Sequence, residues 1–183
     1  MKKIIALWMC LLLTLFSACD MQKSPSGPAI VCSGPTEFAS QDALLEHLSG
    51  LEDVRHLFYL NEEFAGYPLQ RIELSYAYIR CSYAASKEDL SHPDEADIIV
   101  ISWNYESEGE KHLENALKQN PDIYREIEEH PGYYVSGGEN HQTIYWVYDG
   151  CYCSVMTTTE RYKDVLAGIT GGTPVMQRIG KNQ

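Results

Sequence analysis

The sequence predicts an α+β fold in which a single curved antiparallel β-sheet carries short helices packed on one face. Two observations indicate this class. Several apolar stretches alternate as strands do, and the two clearest are joined by the two-residue turn of a β-hairpin. Between and after the strands lie short segments with helical periodicity and capping signals. Hairpins interrupted by short helices are typical of α+β domains.

The first 18 residues are expected to be an export signal that takes no part in this fold. Two lysines precede an apolar run over residues 4–16, which is shorter than the roughly 20 residues that a membrane-spanning helix needs. Residues 15–19 resemble the lipobox of bacterial lipoproteins, although Phe16 stands where Leu is usual. The resemblance implies that Cys19 is diacylated and becomes the first residue of the mature protein.

Residues 19–34 contain Pro, Ser and Gly and are expected to form a short lipidated tether. Residues 35–183 then form a single α+β domain. Because one acyl chain binds a membrane only marginally, two or three chains are needed for firm anchoring. The predicted location is therefore the extracytoplasmic face of the cell membrane, with the lipid as the anchor.

The net negative charge of the chain makes some classes of binding partner unfavourable. The chain has 26 acidic and 14 basic residues, a net charge of −12, and the leader holds two of the lysines. Such a domain is poorly suited to nucleic acid, whose binders need basic patches, or to adhesion to anionic lipid. Solubility is a simpler interpretation of the excess charge than an acidic docking face.

The first half of the domain contains one helix and two strands by pattern. Ser40 is expected to cap a short helix that places Leu44, Leu45 and Leu48 on one face. Residues 56–60 read as a strand. Residues 70–84 are rich in Ile, Leu and Tyr on both faces, which predicts one long strand in the middle of a covered sheet.

The middle of the domain repeats the pattern. A polar connection over residues 86–95 leads to a strand over residues 96–105. Ser107 is expected to cap a helix that runs through Lys118. Asn120–Pro121 ends that helix, because the residue before proline disfavours helical backbone.

The last third carries the clearest signal. Residues 142–148 and 151–157 flank Asp149–Gly150, a two-residue hairpin turn that fixes the register. Thr157 and Glu160 match a capping box, which predicts a final helix that stops at Gly171–Gly172. The residues expected on the apolar side of the hairpin are Ile144, Trp146, Tyr148, Cys151, Cys153 and Val155.

The stretches "PGYYVSGG" and "QTIYWVYDG", with the helix that follows, resemble an uncharacterised C-terminal domain of Firmicutes surface lipoproteins and anti-sigma-like membrane proteins. "ALLEHL", "YPLQRIELSYAYIRCSY" and "IVISWNYESEGEKHLENALKQ" also resemble stretches of such lipoproteins. This family is distantly similar to periplasmic lipoprotein carriers and envelope-stress sensors with a half-barrel sheet. The resemblance implies a fold and a location, and it supplies no catalytic residues.

Four cysteines remain once Cys10 in the leader and Cys19 are set aside, and they are candidates for disulfide bonds. Four cysteines allow three full pairings. A bond from Cys151 or Cys153 to Cys81, with the other pairing with Cys32 or staying free, is favoured over a redox role. Reactive thiolates need exposure and positive neighbours, whereas the hairpin cysteines face Trp and Tyr. The four are Cys32, Cys81, Cys151 and Cys153.

No motif in the chain predicts catalysis, a metal or a cofactor. The six histidines form no HExxH arrangement, and Glu126, Glu128, Glu129 and His130 read as a solvated acidic turn. The one candidate ligand surface is on the outward side of the hairpin. It comprises Tyr145, Val147 and Tyr152, for which structural filling of the sheet is the favoured alternative.

These observations predict a non-enzymatic, membrane-anchored binding or interaction module, with a protein or a small apolar ligand as its partner. The alternative is a carrier that holds a lipid-like ligand in the concave face of its sheet. A carrier predicts an internal cavity lined by Ile99, Trp103 and Trp146. A protein-docking module instead predicts a solid core and an exposed Tyr-rich patch. An enzyme, the third hypothesis, predicts a cleft that gathers His and carboxylates.

Overall fold

The computed structural model describes residues 35–93, 96–171 and 175–179, which belong to one compact unit. The leader, Cys19, the tether and Cys32 lie outside the described residues. The strands are β1 (Thr36–Phe38), β2 (Phe58–Leu60), β3 (Glu63–Phe64), β4 (Tyr67–Ser75), β5 (Tyr78–Tyr83), β6 (Ile99–Asn104), β7 (Arg125–Glu126), β8 (Tyr134–Gly137), β9 (His141–Tyr148), β10 (Cys151–Thr158) and β11 (Met176–Arg178). The helices are α1 (Gln41–Ser49), α2 (Gly109–Gln119) and α3 (Tyr162–Thr170), with a 3-10 turn at Asp89–Ser91.

Nine of the strands in the described part of the chain form one open sheet. Its order is β1-β4-β5-β6-β10-β9-β8-β7, with β3 attached to β4, and its neighbouring strands run antiparallel. The α+β class expected from the sequence is confirmed. A second sheet, which the sequence did not indicate, pairs β2 with β11.

The β9–β10 hairpin has the predicted register. Tyr148 lies opposite Cys151, and Trp146 lies opposite Cys153. The turn residues Asp149 and Gly150 both have positive φ, 51° and 75°, as a type I′ turn requires. The turn therefore fixes which side chains of both strands enter the core.

The expected long strand over residues 70–84 is wrong, because the chain reverses at Tyr76–Ala77. Ser75 pairs with Tyr78, so β4 and β5 form a second hairpin with a two-residue turn. Tyr76 has φ of 53° and an exposed fraction of 80%. No Gly, Pro, Asn or Asp marks this reversal in the sequence. Pairing across the turn puts Leu74 and Ile79 on the same face, whereas a single strand would put them on opposite faces.

One face of the large sheet, the core face, carries the hydrophobic core. A row of side chains in register crosses β5, β6, β10 and β9: Ile79, Trp103, Cys153 and Trp146, each at most 3% exposed. Residues of α1, α3 and the small sheet belong to the same core cluster. Phe58 of β2, for example, lies edge-on to Trp103, with 6.0 Å between ring centroids.

Buried polar contacts join the covering elements to each other. Gln41 of α1 donates from Nε2 to the carbonyl of Leu60 at 2.9 Å, and its Oε1 accepts from the Leu60 amide at 2.7 Å. Ser40 caps α1 as expected, since its Oγ accepts from the Ala43 amide at 3.2 Å. The helix is thus oriented on the core face by its first turn.

Helix α2 does not share that face, which corrects the expectation that the helices lie on one side. His112 stacks on Tyr152, with ring centroids 4.3 Å apart, and Tyr152 alternates with the core-facing Cys151 and Cys153. The first residue of α2 is Gly109, whose amide donates to the Gly150 carbonyl at 2.8 Å. A Cβ on Gly109 would lie 2.7 Å from that oxygen, so only glycine permits this approach.

Two predicted caps are also wrong, because Glu108 and Arg161, and not Ser107 and Thr157, precede the helices. The Oγ of Ser107 accepts from the Tyr152 amide and donates to the Asn104 carbonyl, each at 3.0 Å, so Ser107 connects β6 to the hairpin. Thr157 is fully buried within β10. Helix α3 begins four residues beyond the end of β10, with Arg161 at its N-cap and no side-chain cap.

Candidate functional site

The opposite face of the sheet, the open face, contains a groove of about 400 Å³. The alternation of β6 and β10 turns Ser102 and Ser154 outward, directly opposite each other, and does the same for Val100 and Met156. Met156 is 37% exposed although it lies in a central strand. The groove is lined by Arg71, Glu73, Arg80, Ser82, Leu90, Pro93, Ile98, Val100, Ser102, Thr143, Ser154 and Met156.

The groove has chemically different sides. Leu90 and Pro93, from the connection between β5 and β6, form an apolar wall beside Ile98, which is only 6% exposed. Arg71 and Arg80, from β4 and β5, form a charged side. Small-molecule sites are typically concave and apolar, with a few convergent polar groups, and occupy about 300–1,000 Å³. The groove is of this size, and it combines an apolar wall with polar and charged side chains.

The charged side includes a short network of ions. Arg71 Nε lies 3.7 Å from Glu37 Oε2, and Lys87 Nζ donates to Glu37 Oε1 at 2.6 Å. The hydrogen bond from Lys87, and then the charges of Lys87 and Arg71, lower the pKa of Glu37. Glu37 therefore stays ionised and offsets part of the positive charge beside the groove.

The predicted ligand surface lies on the same face but at the end that α2 occupies. Tyr152 is 7% exposed because His112 covers it, and burial raises the pKa of its hydroxyl. Tyr145 stacks on Tyr152 at 6.2 Å and meets the edge of Tyr124 at 5.1 Å. Val147 is half-buried opposite Tyr152. These side chains hold α2 on the sheet, and Tyr152 is not an open contact surface.

The sequence placed Tyr145, Val147 and Tyr152 on the side of the hairpin opposite the core, where the structure has them, but it did not indicate the groove. Thr143, Ser154 and Met156 alternate outward in the predicted hairpin, and all three line the groove. What the sequence did not indicate was which part of the face a helix covers. In the predicted single strand Arg71 and Arg80 would lie on opposite faces, and only the pairing of β4 with β5 brings them to the same face.

His112 is the titratable group at the edge of this aromatic cluster. Its Nε2 lies 3.3 Å from the Tyr78 hydroxyl, and its ring stacks on Tyr152. Burial lowers the pKa of the imidazole. The neutral ring is therefore the form that suits the packing of α2 against the sheet.

The three described cysteines lie on the core face as free, buried thiols. This differs from the expected bond between Cys81 and one of the hairpin cysteines. Cys81 lies opposite Ile101 on one side of β6, and Val155 lies opposite Ile101 on the other, so a whole strand separates Cys81 from β10. Two strand spacings are about 9.6 Å, beyond the roughly 7 Å between Cα atoms that a disulfide spans.

The thiols are also poorly suited to chemistry. Burial raises the pKa of Cys81. Burial raises the pKa of Cys153 as well, with a smaller contribution from its neighbour Cys151. Since the thiolate is the reactive form, a raised pKa slows both alkylation and exchange. The CxC pair therefore acts as core packing in this structure.

A second polar cluster joins three elements near the groove. Asp97 Oδ2 accepts from the Tyr67 hydroxyl at 3.1 Å, and its Oδ1 accepts from Thr158 at 3.1 Å. Arg161 donates from Nη2 to the Tyr67 oxygen at 2.7 Å and also pairs with Asp97 at 3.5 Å. These bonds connect β4, β10 and the start of α3, so the cluster has a structural role.

Within residues 35–93, 96–171 and 175–179, no three or more His, Cys, Asp or Glu side chains come together as metal ligands would. No helix in the same ranges has the length and apolarity to cross a membrane. Glu126, from the acidic turn, accepts a hydrogen bond from the Gly132 amide at 3.0 Å.

The chain matches no family model, no curated protein and no solved structure. The class of protein is therefore defined by the described residues alone. They form an α+β domain with an open antiparallel sheet, one face of which is packed as a core while the other carries a groove.

Proposed function

We propose that this protein is a lipid-anchored, extracytoplasmic binding module without catalytic activity, and that it binds its ligand or partner on the open face of its sheet. The proposal of a lipid anchor is supported by the sequence, in which an apolar export signal contains the lipobox-like residues 15–19 at its end. One observation above all supports the proposal that binding occurs on the open face. A groove of about 400 Å³ lies across central strands, where an ordinary sheet would be packed or uniformly polar.

The alternative function, a carrier of an apolar ligand inside the domain, has less support. It required a cavity among Ile99, Trp103 and Trp146. These side chains are at most 3% exposed. Trp103 meets Phe58 edge-on, and Trp146 stacks on Tyr133 with 6.2 Å between centroids. The residues expected to hold a lipid tail instead form a packed core.

Metabolic labelling with palmitate tests the proposed lipid anchor. Replacing Cys19→Ala in the full-length chain is expected to abolish acylation, measured as the loss of a radiolabelled palmitate signal from the protein. Cys10→Ala, in the leader, is the matched control and is expected to keep the label. Equal labelling of the two variants would overturn the assignment of Cys19.

Site-specific photo-crosslinking in the host tests the binding face. A benzophenone amino acid at Ser102 or Met156, in the groove, is expected to give a discrete adduct on irradiation. The same group at Glu46, exposed on α1, is the control and is expected to give none. Identical adducts at all three positions, or no adduct at either groove position, would contradict binding on the open face.

A further inference from the structure

The chemistry of the groove indicates the kind of ligand that it takes. Arg71 lies opposite Ser82, and Arg80 lies two residues before Ser82 on the same strand. The two arginines are thus diagonal neighbours on one face of an antiparallel pair, where side chains of this length reach a common point. Both line the groove.

Hydrogen-bonding capacity at this end of the groove is not used up by the protein. Arg71 Nε is buried and has no hydrogen-bond partner, because Glu37 Oε2 at 3.7 Å is beyond hydrogen-bond distance. Arg80 is exposed, and none of the ion pairs among the described residues includes it. Both guanidinium groups therefore keep N–H donors that a ligand in the groove can use.

The local charge suits an anion although the chain as a whole is acidic. Of the charged residues that line the groove, Arg71 and Arg80 are basic, and Glu73, opposite Arg80, is acidic. The 26 acidic residues of the chain are spread over its length. At physiological salt, charges more than about 8 Å apart are largely screened, so the two lining arginines and Glu73 matter more at the groove than the net charge of the chain.

The rest of the groove suits a short apolar body. Val100 and Met156 form the floor, and Leu90 with Pro93 forms a wall. Ser82 lies between Arg71 and Val100 in one row across the sheet, and Ser102 and Ser154 follow Arg80 in the neighbouring row. Each of these hydroxyls can donate one hydrogen bond and accept two.

We propose that the groove binds an organic oxyanion whose carboxylate or phosphate head contacts Arg71 and Arg80 while its short apolar body lies over Val100 and Met156. This inference rests on the proposed binding function and names its ligand class. Arginine is suited to the role because its planar guanidinium donates two parallel hydrogen bonds to either kind of head group.

The test uses the full-length lipidated protein in lipid nanodiscs, with methionine methyl groups labelled with ¹³C. Met156 reports on the groove, and Met176, 1% exposed in the core, is the internal control. Hexanoate is expected to shift the Met156 signal saturably and to leave Met176 unchanged. Acetate, which lacks the body, and hexan-1-ol, which lacks the charge, are expected to bind at least about tenfold more weakly.

Hexyl phosphate distinguishes the two head groups. Tighter binding than hexanoate would assign the site to phosphate monoesters, and weaker binding would assign it to carboxylates. Equal affinity for hexan-1-ol and hexanoate would overturn the oxyanion proposal and leave binding on the open face standing. A Met156 signal that no anion shifts would also overturn it, whatever the crosslinking experiment shows.

Substitution of single arginines tests which positive charge the head group of the ligand contacts. Arg80→Gln keeps a polar side chain of similar length. It is expected to weaken the binding of hexanoate at least about tenfold and to leave the binding of hexan-1-ol unchanged. Arg55→Gln, an exposed arginine paired with Glu108, is the matched control. An unchanged Met176 signal shows that each variant is folded. Unaltered hexanoate affinity in folded Arg80→Gln would contradict the proposal.

Discussion

The core face and the open face of the sheet are made by alternate residues of the same strands, and they differ in what covers them. On β6, Ile101 is completely buried beneath the helices and the small sheet, while its neighbour Val100 faces a groove. On β10, Cys153 is buried, while Ser154 lines the groove. Alternation alone thus produces two surfaces, and the covering elements decide which of them becomes a core.

Helix α2 sharpens this comparison because it divides the open face. Where α2 lies on the sheet, Tyr145 and Tyr152 pack under His112 as a small second core. Where α2 ends, the same strands present serines, a threonine and a methionine to the groove. An outward position on this sheet is therefore open to a ligand only beyond the edge of the helix.

The largest predicted effect contrasts neighbours on β6. Ile101→Ala is expected to lower the free energy of unfolding by about 2–5 kcal/mol, because it opens a cavity in the core. Val100→Ala, on the open face, is expected to cost about 1 kcal/mol. Urea unfolding of the two variants measures the difference. Equal losses would show that the open face is as tightly packed as the core face.

The next largest expected change in stability comes from the contact that holds α2 on the sheet. Gly109→Ala is expected to cost about 1–3 kcal/mol, since its Cβ would meet the backbone of Gly150 and Cys151 at 2.7 Å. Gly138→Ala is the matched control, because no atom lies within 4 Å of its added Cβ. Thermal unfolding compares them. A stable Gly109→Ala variant would mean that α2 is free to move off the sheet.

Loss of the N-cap of α1, which lies on the core face, is expected to lower the free energy of unfolding by about 1 kcal/mol. Ser40→Ala removes the acceptor of the Ala43 amide and is expected to destabilise the domain by that amount. Ser49→Ala, at the far end of the helix, removes only an exposed bond to the Glu46 carbonyl and is the control. Urea unfolding that ranks Ser49→Ala as the more damaging change would argue against the capping role.

The smallest effect depends on pH. Because burial lowers the pKa of His112 in the folded state, the unfolded chain binds a proton more readily. Stability contributed by neutral His112 is therefore complete above the unfolded pKa of about 6.5 and declines as the pH falls below it. His112→Gln is expected to flatten this decline between about pH 7.5 and 5.5. Parallel pH profiles for the two proteins, measured by urea unfolding, would contradict this role.

Much of the fold follows from local sequence signals. Asp149–Gly150 adopts positive φ at both positions, so the register of the last hairpin could be derived from the sequence. The cap at Ser40 is equally local. The reversal at Tyr76–Ala77 could not be derived, because neither residue favours positive φ and the flanking strands are apolar enough to read as one.

The candidate site depends on features that local patterns do not encode. The sequence placed Ser154 and Met156 on the outward face, but the position of α2 depends on the close approach of Gly109 to the hairpin turn. Arg71 and Arg80 come together only through the pairing of β4 with β5. Likewise, β11 pairs with β2 across more than a hundred residues, and its three residues carry no strand pattern.

Thiol labelling of adjacent residues on β10 tests the difference between the two faces most directly. In the full-length Ser154→Cys variant under native conditions, an uncharged maleimide should label position 154, with the site identified by peptide mass mapping. The neighbouring Cys153, buried and with a raised pKa, should be labelled only after unfolding. The predicted result is that, of these two neighbouring positions, only position 154 is labelled under native conditions. Equal native labelling at both positions, or protection of both, would contradict a sheet with one sealed face and one open face.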